Sequence, residues 1–162
     1  AKDNNCGHRL IESADEVNKE QRVIFINKIL ARYGMNLSGK TVAVWGLTFK
    51  PKTNDMRMSP AITIINFLLE FGAKVQAYDP KGFEQAQKIW GDKIVYAKSS
   101  YDALENADFM LLLTEWNEFR RPDFDRVKDL LKEPVIFDGR NQYDGERLKQ
   151  RGFEYHCVGK KF

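Results

Sequence analysis

Glycine is missing where a phosphate-binding turn would need it. The segment after the first strand-like run, Gly46-Leu47-Thr48-Phe49-Lys50-Pro51, holds a single glycine. A G-x-G-x-x-G turn, whose backbone amides close on a pyrophosphate, is therefore absent where a dinucleotide-binding chain carries it. Cysteine is scarce as well. Cys6 and Cys157 stand near opposite ends without a spacing motif, which fits free thiols in a reducing cytoplasm better than a disulfide framework. No long apolar run exists: Phe109-Met110-Leu111-Leu112-Leu113 is the longest, far short of a membrane span. The opening residues, AKDNNCGHRL, lack an apolar centre and are no signal peptide. They also lack an initiator Met and read like the middle of a longer chain. A surplus of one charge sign is absent too. The 26 basic residues are scattered among 23 acids for a net charge of +3, which leaves no basic stripe for nucleic acid.

What is present is the composition of a globular domain, 43% hydrophobic and 30% charged, long enough to bury a core without a metal or disulfide staple. The first strong element runs from Ser13 to Tyr33. Ser13 is placed to cap a helix, Glu16 completes a capping box, and Gly34 stops it. Val17, Ile24, Phe25, Ile26, Ile29 and Leu30 give more apolar surface than one narrow stripe needs, so the helix wants a second surface.

From Thr41 the pattern alternates. Strand-like runs occur at Thr41–Trp45, Lys74–Tyr78, Ile94–Ala97, Phe109–Leu113, Val135–Phe137 and Phe153–Val158. Helical segments lie between them, at about Ser59–Phe71, Gly82–Trp90, Tyr101–Glu105, Asp123–Leu131 and Gly145–Arg151. Ser59-Pro60 is a good helix start, because proline at the first helical position gives up no needed donor. This alternation predicts a doubly wound α/β fold, a mostly parallel six-stranded sheet with helices on both faces, preceded by a long helix. The expected strand order is 3-2-1-4-5-6.

In such sheets ligands bind outside the carboxyl ends of the strands. The loop after the first strand is long, which marks it as functional or disordered. It offers Lys50, Lys52 and Arg57, cations in place of glycine amides. Arg140 follows the fifth strand, a near neighbour of the first in the expected order. Convergent cations there suit a diphosphate, while a lone lysine among them is more readily a solvated loop charge. Asp79, in Tyr78-Asp79-Pro80, is placed either to accept from a ribose hydroxyl or to cap the following turn. Asp138 has the same two options. Asp55 and Arg57 are spaced to pair with each other, and Trp116 suits the edge of the core better than a lid over a base. Cys6 with His8 could form a thiol nucleophile, but nothing nearby supplies an oxyanion hole. His156 and Cys157 point to opposite faces of the last strand and form no metal pair.

Taken together, Gly46-Leu47-Thr48-Phe49-Lys50-Pro51, Asp55-Met56-Arg57-Met58-Ser59-Pro60-Ala61, Tyr78-Asp79-Pro80, Thr114-Glu115-Trp116-Asn117-Glu118-Phe119 and Phe137-Asp138-Gly139-Arg140-Asn141 resemble the C-terminal domain of UDP-glucose 6-dehydrogenases. These enzymes are members of the UDP-glucose/GDP-mannose dehydrogenase family. Val17-Asn18-Lys19-Glu20-Gln21 is similar to the start of the helix that links that family's two domains. The likeness covers essentially the whole chain.

The resemblance implies residues 1–36 as linker and central dimerisation helix, and residues 37–162 as a Rossmann-like UDP-sugar-binding domain. It implies a homodimer formed through the helix at about Ser13–Tyr33. It further implies oxidation of UDP-glucose to UDP-glucuronate in two NAD-dependent steps, with NAD held mainly by an N-terminal domain. The catalytic cysteine would lie upstream, in a motif that Cys6 does not match. No catalytic residue is then expected in this chain, and alone it should be inactive. Phe49, Lys50 and Arg140 match substrate-contacting positions, and Arg57 matches a residue reaching toward NAD. Asn54 and Met58 depart from the usual Asp and Glu around that arginine. The Phe-Lys-Pro form of the loop favours UDP-glucose over GDP-mannose. The alternatives are a family member acting on another nucleotide-sugar, or a non-catalytic regulatory nucleotide-binding domain. A phosphoacceptor receiver domain lacks its acidic cluster, since Gly46 and Leu47 stand at the end of the first strand.

Overall fold

The computed structural model describes residues 7–159, with side chains described from residue 20 onward. Among these residues six strands form one parallel sheet: β1 Thr41–Trp45, β2 Lys74–Tyr78, β3 Val95–Tyr96, β4 Phe109–Leu112, β5 Val135–Asp138 and β6 Glu154–Cys157. Their order is β3-β2-β1-β4-β5-β6, the arrangement the sequence predicts. Every residue of β4 and β5 is buried, which is why these runs read as continuously apolar.

Five α-helices accompany the sheet: α1 Gly7–Tyr33, α2 Pro60–Glu70, α3 Phe83–Trp90, α4 Phe124–Leu130 and α5 Gly145–Gln150. The Ser59 hydroxyl accepts from the Ala61 amide at 3.1 Å, with Pro60 in the first turn of α2. Two expectations are corrected. Ser13 lies inside α1, not at its cap, because nothing between Gly7 and Ser13 breaks a helix and Arg9, Leu10 and Glu12 favour one. The segment at Tyr101–Glu105 is only a 3₁₀ turn, Asp102–Leu104. Asn106, at φ 58°, ends it before a costly α-helical nucleus can form.

Two apolar layers flank the sheet. On one face Val42, Val44, Val75, Phe109 and Phe137 meet α2 and α3. On the other, Trp45, Met110, Leu112 and Ile136 meet α4, α5 and the turn residues Leu104 and Phe119. Helix α1 completes the first face over β4 and β5. Phe25, Ile26 and Ile29 are buried there, and Tyr33 stacks on Phe109 at 4.4 Å between ring centroids. At about 1.5–3 kcal/mol for each large apolar side chain buried, these contacts suffice to dock the C-terminal turns of α1 on the sheet. Polar contacts fix its register. Lys28 donates to the Cys157 carbonyl at 2.5 Å, and Arg32 pairs with Glu154 and Glu133.

Candidate functional site

Trp45 pairs with Leu112, and Leu112 with Asp138, so β1, β4 and β5 end level and their loops leave the sheet side by side. The loop after β1 turns at once on Gly46, whose φ is +92°. A Cβ there would stand 2.5 Å from the Thr114 Cβ and 2.6 Å from the Thr114 amide nitrogen. Glycine is required because the loop after β4 passes directly against the turn.

The buried Asp79 carboxylate organises this crossing. One oxygen accepts from the Leu47 amide at 2.7 Å and from the Thr48 amide, the Thr48 hydroxyl and the Trp116 indole, each at 3.0 Å. The other accepts from the Lys81 and Gly82 amides at 2.9 and 2.7 Å. Asp79 thus caps its own turn and ties down two neighbouring loops, and its oxygens are fully engaged by the protein. The ribose option is overturned. Trp116 is buried at the core edge, as its sequence position suggests.

Asp138 repeats the pattern. Wholly buried, it accepts from the Arg140, Gln142 and Tyr143 amides and from the Tyr155 hydroxyl. Burial and the adjacent Asp138 charge push the Tyr155 phenol far above its ordinary range, so it remains a hydrogen donor.

With its root held in this way and the Phe49 amide bonded to the Asp55 carbonyl at 2.8 Å, the long loop turns Phe49 and Lys50 outward. A cleft of about 550 Å³ opens there. Phe49, Lys50 and Arg140 line it together, and Phe25, Ile64 and Leu113 contribute apolar surface. Arg22 of α1 lines the same cleft, tethered at 3.3 Å to the Thr63 hydroxyl and the Met58 carbonyl. The sequence reading missed Arg22 because its place depends on how α1 docks. A register count from the buried Phe25, Ile26 and Ile29 would have been the available signal.

The other loop cations do not join this cleft. Lys52, in the left-handed region at φ 66°, borders a separate depression with Pro80 and Lys81. Arg57 borders a third, with Gln85 and Ile89. Its side chain is 88% exposed and pairs with Asp55 at 2.8 Å. The Arg57 hydrogen bonds hold the Asp55 carboxyl down to about 2, so Asp55 supplies the partner that Asn54 and Met58 do not. Arg140 is paired with Glu115. Cys6 and the His8 side chain lie outside the described residues. His156 stacks on Phe137 at 4.6 Å, while Cys157 is buried in the layer on the opposite face. Among the described residues no group of His, Cys, Asp and Glu is placed to hold a metal ion, and no helix is long and apolar enough to cross a membrane.

Residues 43–145 match the UDP-binding domain of the UDP-glucose/GDP-mannose dehydrogenase family. The chain is 43% identical over 152 residues to the UDP-glucose 6-dehydrogenase TuaD of Bacillus subtilis, covering 94% of this chain and 33% of that protein. It is 41% identical over 160 residues to the UDP-glucose 6-dehydrogenase of Rhizobium meliloti, covering 99% and 36%. A solved UDP-glucose dehydrogenase from Pyrobaculum islandicum superposes with a TM-score of 0.74 at 28% identity, covering 90% of this chain and 31% of that one. The chain thus spans about a third of the length of these relatives. With a superposable fold and a family match over most of its length, the chain belongs to the UDP-glucose/GDP-mannose dehydrogenase family.

Proposed function

We infer that this chain is the nucleotide-sugar-binding part of an NAD-dependent UDP-glucose 6-dehydrogenase, which oxidises UDP-glucose to UDP-glucuronate in two steps. The observation that carries this is the meeting of Lys50 and Arg140, from loops far apart in sequence, on one cleft beside the exposed Phe49 ring. Two cations suit a diphosphate, and the ring and apolar floor suit a flat base or a sugar face. The names of the relatives supply the sugar.

The crevice of this domain does not fit NAD. It lacks the glycine turn, and the Leu47 and Thr48 amides that would face a pyrophosphate are bonded to Asp79. In this reading NAD is held mainly by the part of the relatives that this chain does not span, along with the catalytic cysteine. Arg57, exposed on a depression of its own, faces that cofactor. Residues 1–36 then act as linker and dimerisation helix and 37–162 as the UDP-sugar domain. The partly exposed Val23 and Ile24, on the helix whose Phe25 and Ile26 are buried, support a homodimer through α1. The free, buried Cys157 suits a reducing cytoplasm.

Titration calorimetry with UDP tests the assignment. Arg140→Ala should weaken binding roughly tenfold to 150-fold, the loss of one charge-assisted hydrogen bond of about 1.5–3 kcal/mol, and Lys50→Ala, which removes a screened attraction, should weaken it roughly threefold to tenfold. Unchanged affinity in both variants would refute the cleft as the diphosphate site. Mixed with UDP-glucose and NAD, the 162-residue chain should form no NADH, and turnover would overturn the division of labour.

A further inference from the structure

Arg140 is not left to find its own geometry. Its Nε and Nη2 both donate to the Glu115 carboxylate, Nη2 at 2.8 Å, in a side-on fork. Nη1 has no hydrogen-bond partner among the described residues. Arg140 lines the cleft and Glu115 does not, so the carboxylate braces the guanidinium from outside. The two come from adjacent loops, after β4 and β5, whose roots are fixed by Thr114 bonding the Thr48 carbonyl and by Asp138 bonding the Arg140 amide.

We propose that Glu115 is a positioning residue for the phosphate site: it locks the Arg140 guanidinium so that the Nη1 edge is presented to an anionic oxygen in the cleft. The proposal rests on the assignment of that cleft to UDP. Both side chains are about one-third exposed, 34% for Arg140 and 30% for Glu115. A pair this exposed adds little to fold stability, but an unbraced arginine would have to lose its rotamer freedom on binding. Partial burial disfavours the Glu115 charge, yet the Arg140 hydrogen bonds outweigh it and keep the carboxyl below its ordinary range. The brace is therefore ionised at neutral pH.

An acid beside a phosphate site also repels the ligand, and the two effects have opposite signs. The repulsion weakens as salt rises, with a Debye length of about 8 Å at physiological salt, whereas pre-orientation of a side chain is independent of salt, so salt separates the two. Positioning should win.

The experiment is calorimetric titration of the protein and its Glu115→Ala, Glu115→Gln, Arg140→Ala and double Glu115→Ala/Arg140→Ala variants with UDP and with uridine, at low and physiological salt. Glu115→Ala should weaken UDP binding about threefold to tenfold, the cost of ordering one long side chain. Uridine affinity should not change. Glu115→Gln, which keeps one acceptor, should fall between, and the double variant should match Arg140→Ala alone. If Arg140→Ala weakens UDP but Glu115→Ala binds as well as or better than the parent, the positioning role is refuted while the cleft assignment stands. If Arg140→Ala has no effect, the positioning role is refuted, and the cleft assignment falls with it only where Lys50→Ala is silent as well. Equal losses for UDP and uridine would mark Glu115 as merely structural.

Discussion

Asp79→Ala separates two opposed roles for one carboxylate. In a dinucleotide-binding fold an acid at the end of the second strand accepts from a ribose hydroxyl, and its removal weakens the ligand while sparing the fold. Here the carboxylate is 7% exposed and accepts six hydrogen bonds. Lys81 lies at an exposed turn and its amide regains a partner from water. The Leu47, Thr48 and Gly82 amides, the Thr48 hydroxyl and the Trp116 indole are buried. Each buried donor left unsatisfied costs about 1–3 kcal/mol. If water enters the vacated space and serves all but two, the loss is about 2–6 kcal/mol, a large share of the ~5–15 kcal/mol of a typical domain.

At about 2–4 °C per kcal/mol for a chain of this size, Tm should fall by roughly 4–24 °C. Asp79→Asn keeps one acceptor, and by turning it toward the four donors of the first oxygen it should recover more than half of the loss. Urea unfolding gives the free energies, and UDP titration of whatever remains folded gives the ligand effect. A cost below about 1 kcal/mol, together with a large loss of nucleotide affinity, would refute the clamp and restore the ribose role.

Two further perturbations follow from the same geometry. Gly46→Ala places a methyl group 2.5 Å from the Thr114 Cβ at a φ of +92°. Strain and overpacking together should cost about 3–5 kcal/mol by urea unfolding, and wild-type stability would show that the loops after β1 and β4 are not held in contact. At the opposite ends of the strands, burial works against the Asp108 charge, but the Thr41 amide and the Lys40 and Lys132 ammonium groups outweigh it and lower its pKa. Because the folded value lies below the unfolded one, this contribution is complete above about pH 4 and fades as pH falls through the folded value. Asp108→Asn should therefore cost about 1–2 kcal/mol at pH 7 and much less near pH 2, and a urea midpoint difference that grows toward acid would contradict the sign.

The strands were legible because their signal is local. Thr41–Trp45 and Lys74–Tyr78 alternate or run apolar within five residues, and the handedness of crossovers then leaves few orders. The Lys50–Arg140 juxtaposition followed from that order alone, since β1, β4 and β5 are consecutive in the sheet. What sequence could not decide is non-local. Whether Asp79 faces a ligand or its own turn depends on where the indole of Trp116 arrives, 37 residues later. The separation of Lys52 and Arg57 from Lys50 depends on the left-handed bend at Lys52 and on closure of the loop between Phe49 and Asp55. Arg22 enters the cleft only through the docking of α1, and Glu115 matters only through the rotamer of a side chain on another loop.

These details share a physical cause. The Asp79 carboxylate engages the Leu47 and Thr48 amides, so the turn after β1 has no free amides there to offer a pyrophosphate. In the proposed reading, phosphate contacts come instead from side chains, which line the cleft beneath α1. Backbone amides are held rigid by the fold, whereas lysine and arginine must be ordered at a cost in rotamer entropy. A site built from cations needs braces that a glycine turn does not. Glu115 on Arg140, and the Thr63 and Met58 contacts on Arg22, are what such braces look like. Lys50 has no ion-pair partner among the described residues. It therefore loses the most freedom on binding, and its contribution should come chiefly as screened, long-range attraction, while Arg140 supplies directional hydrogen bonding. Raising the salt concentration should consequently shrink the Lys50→Ala effect more than the Arg140→Ala effect.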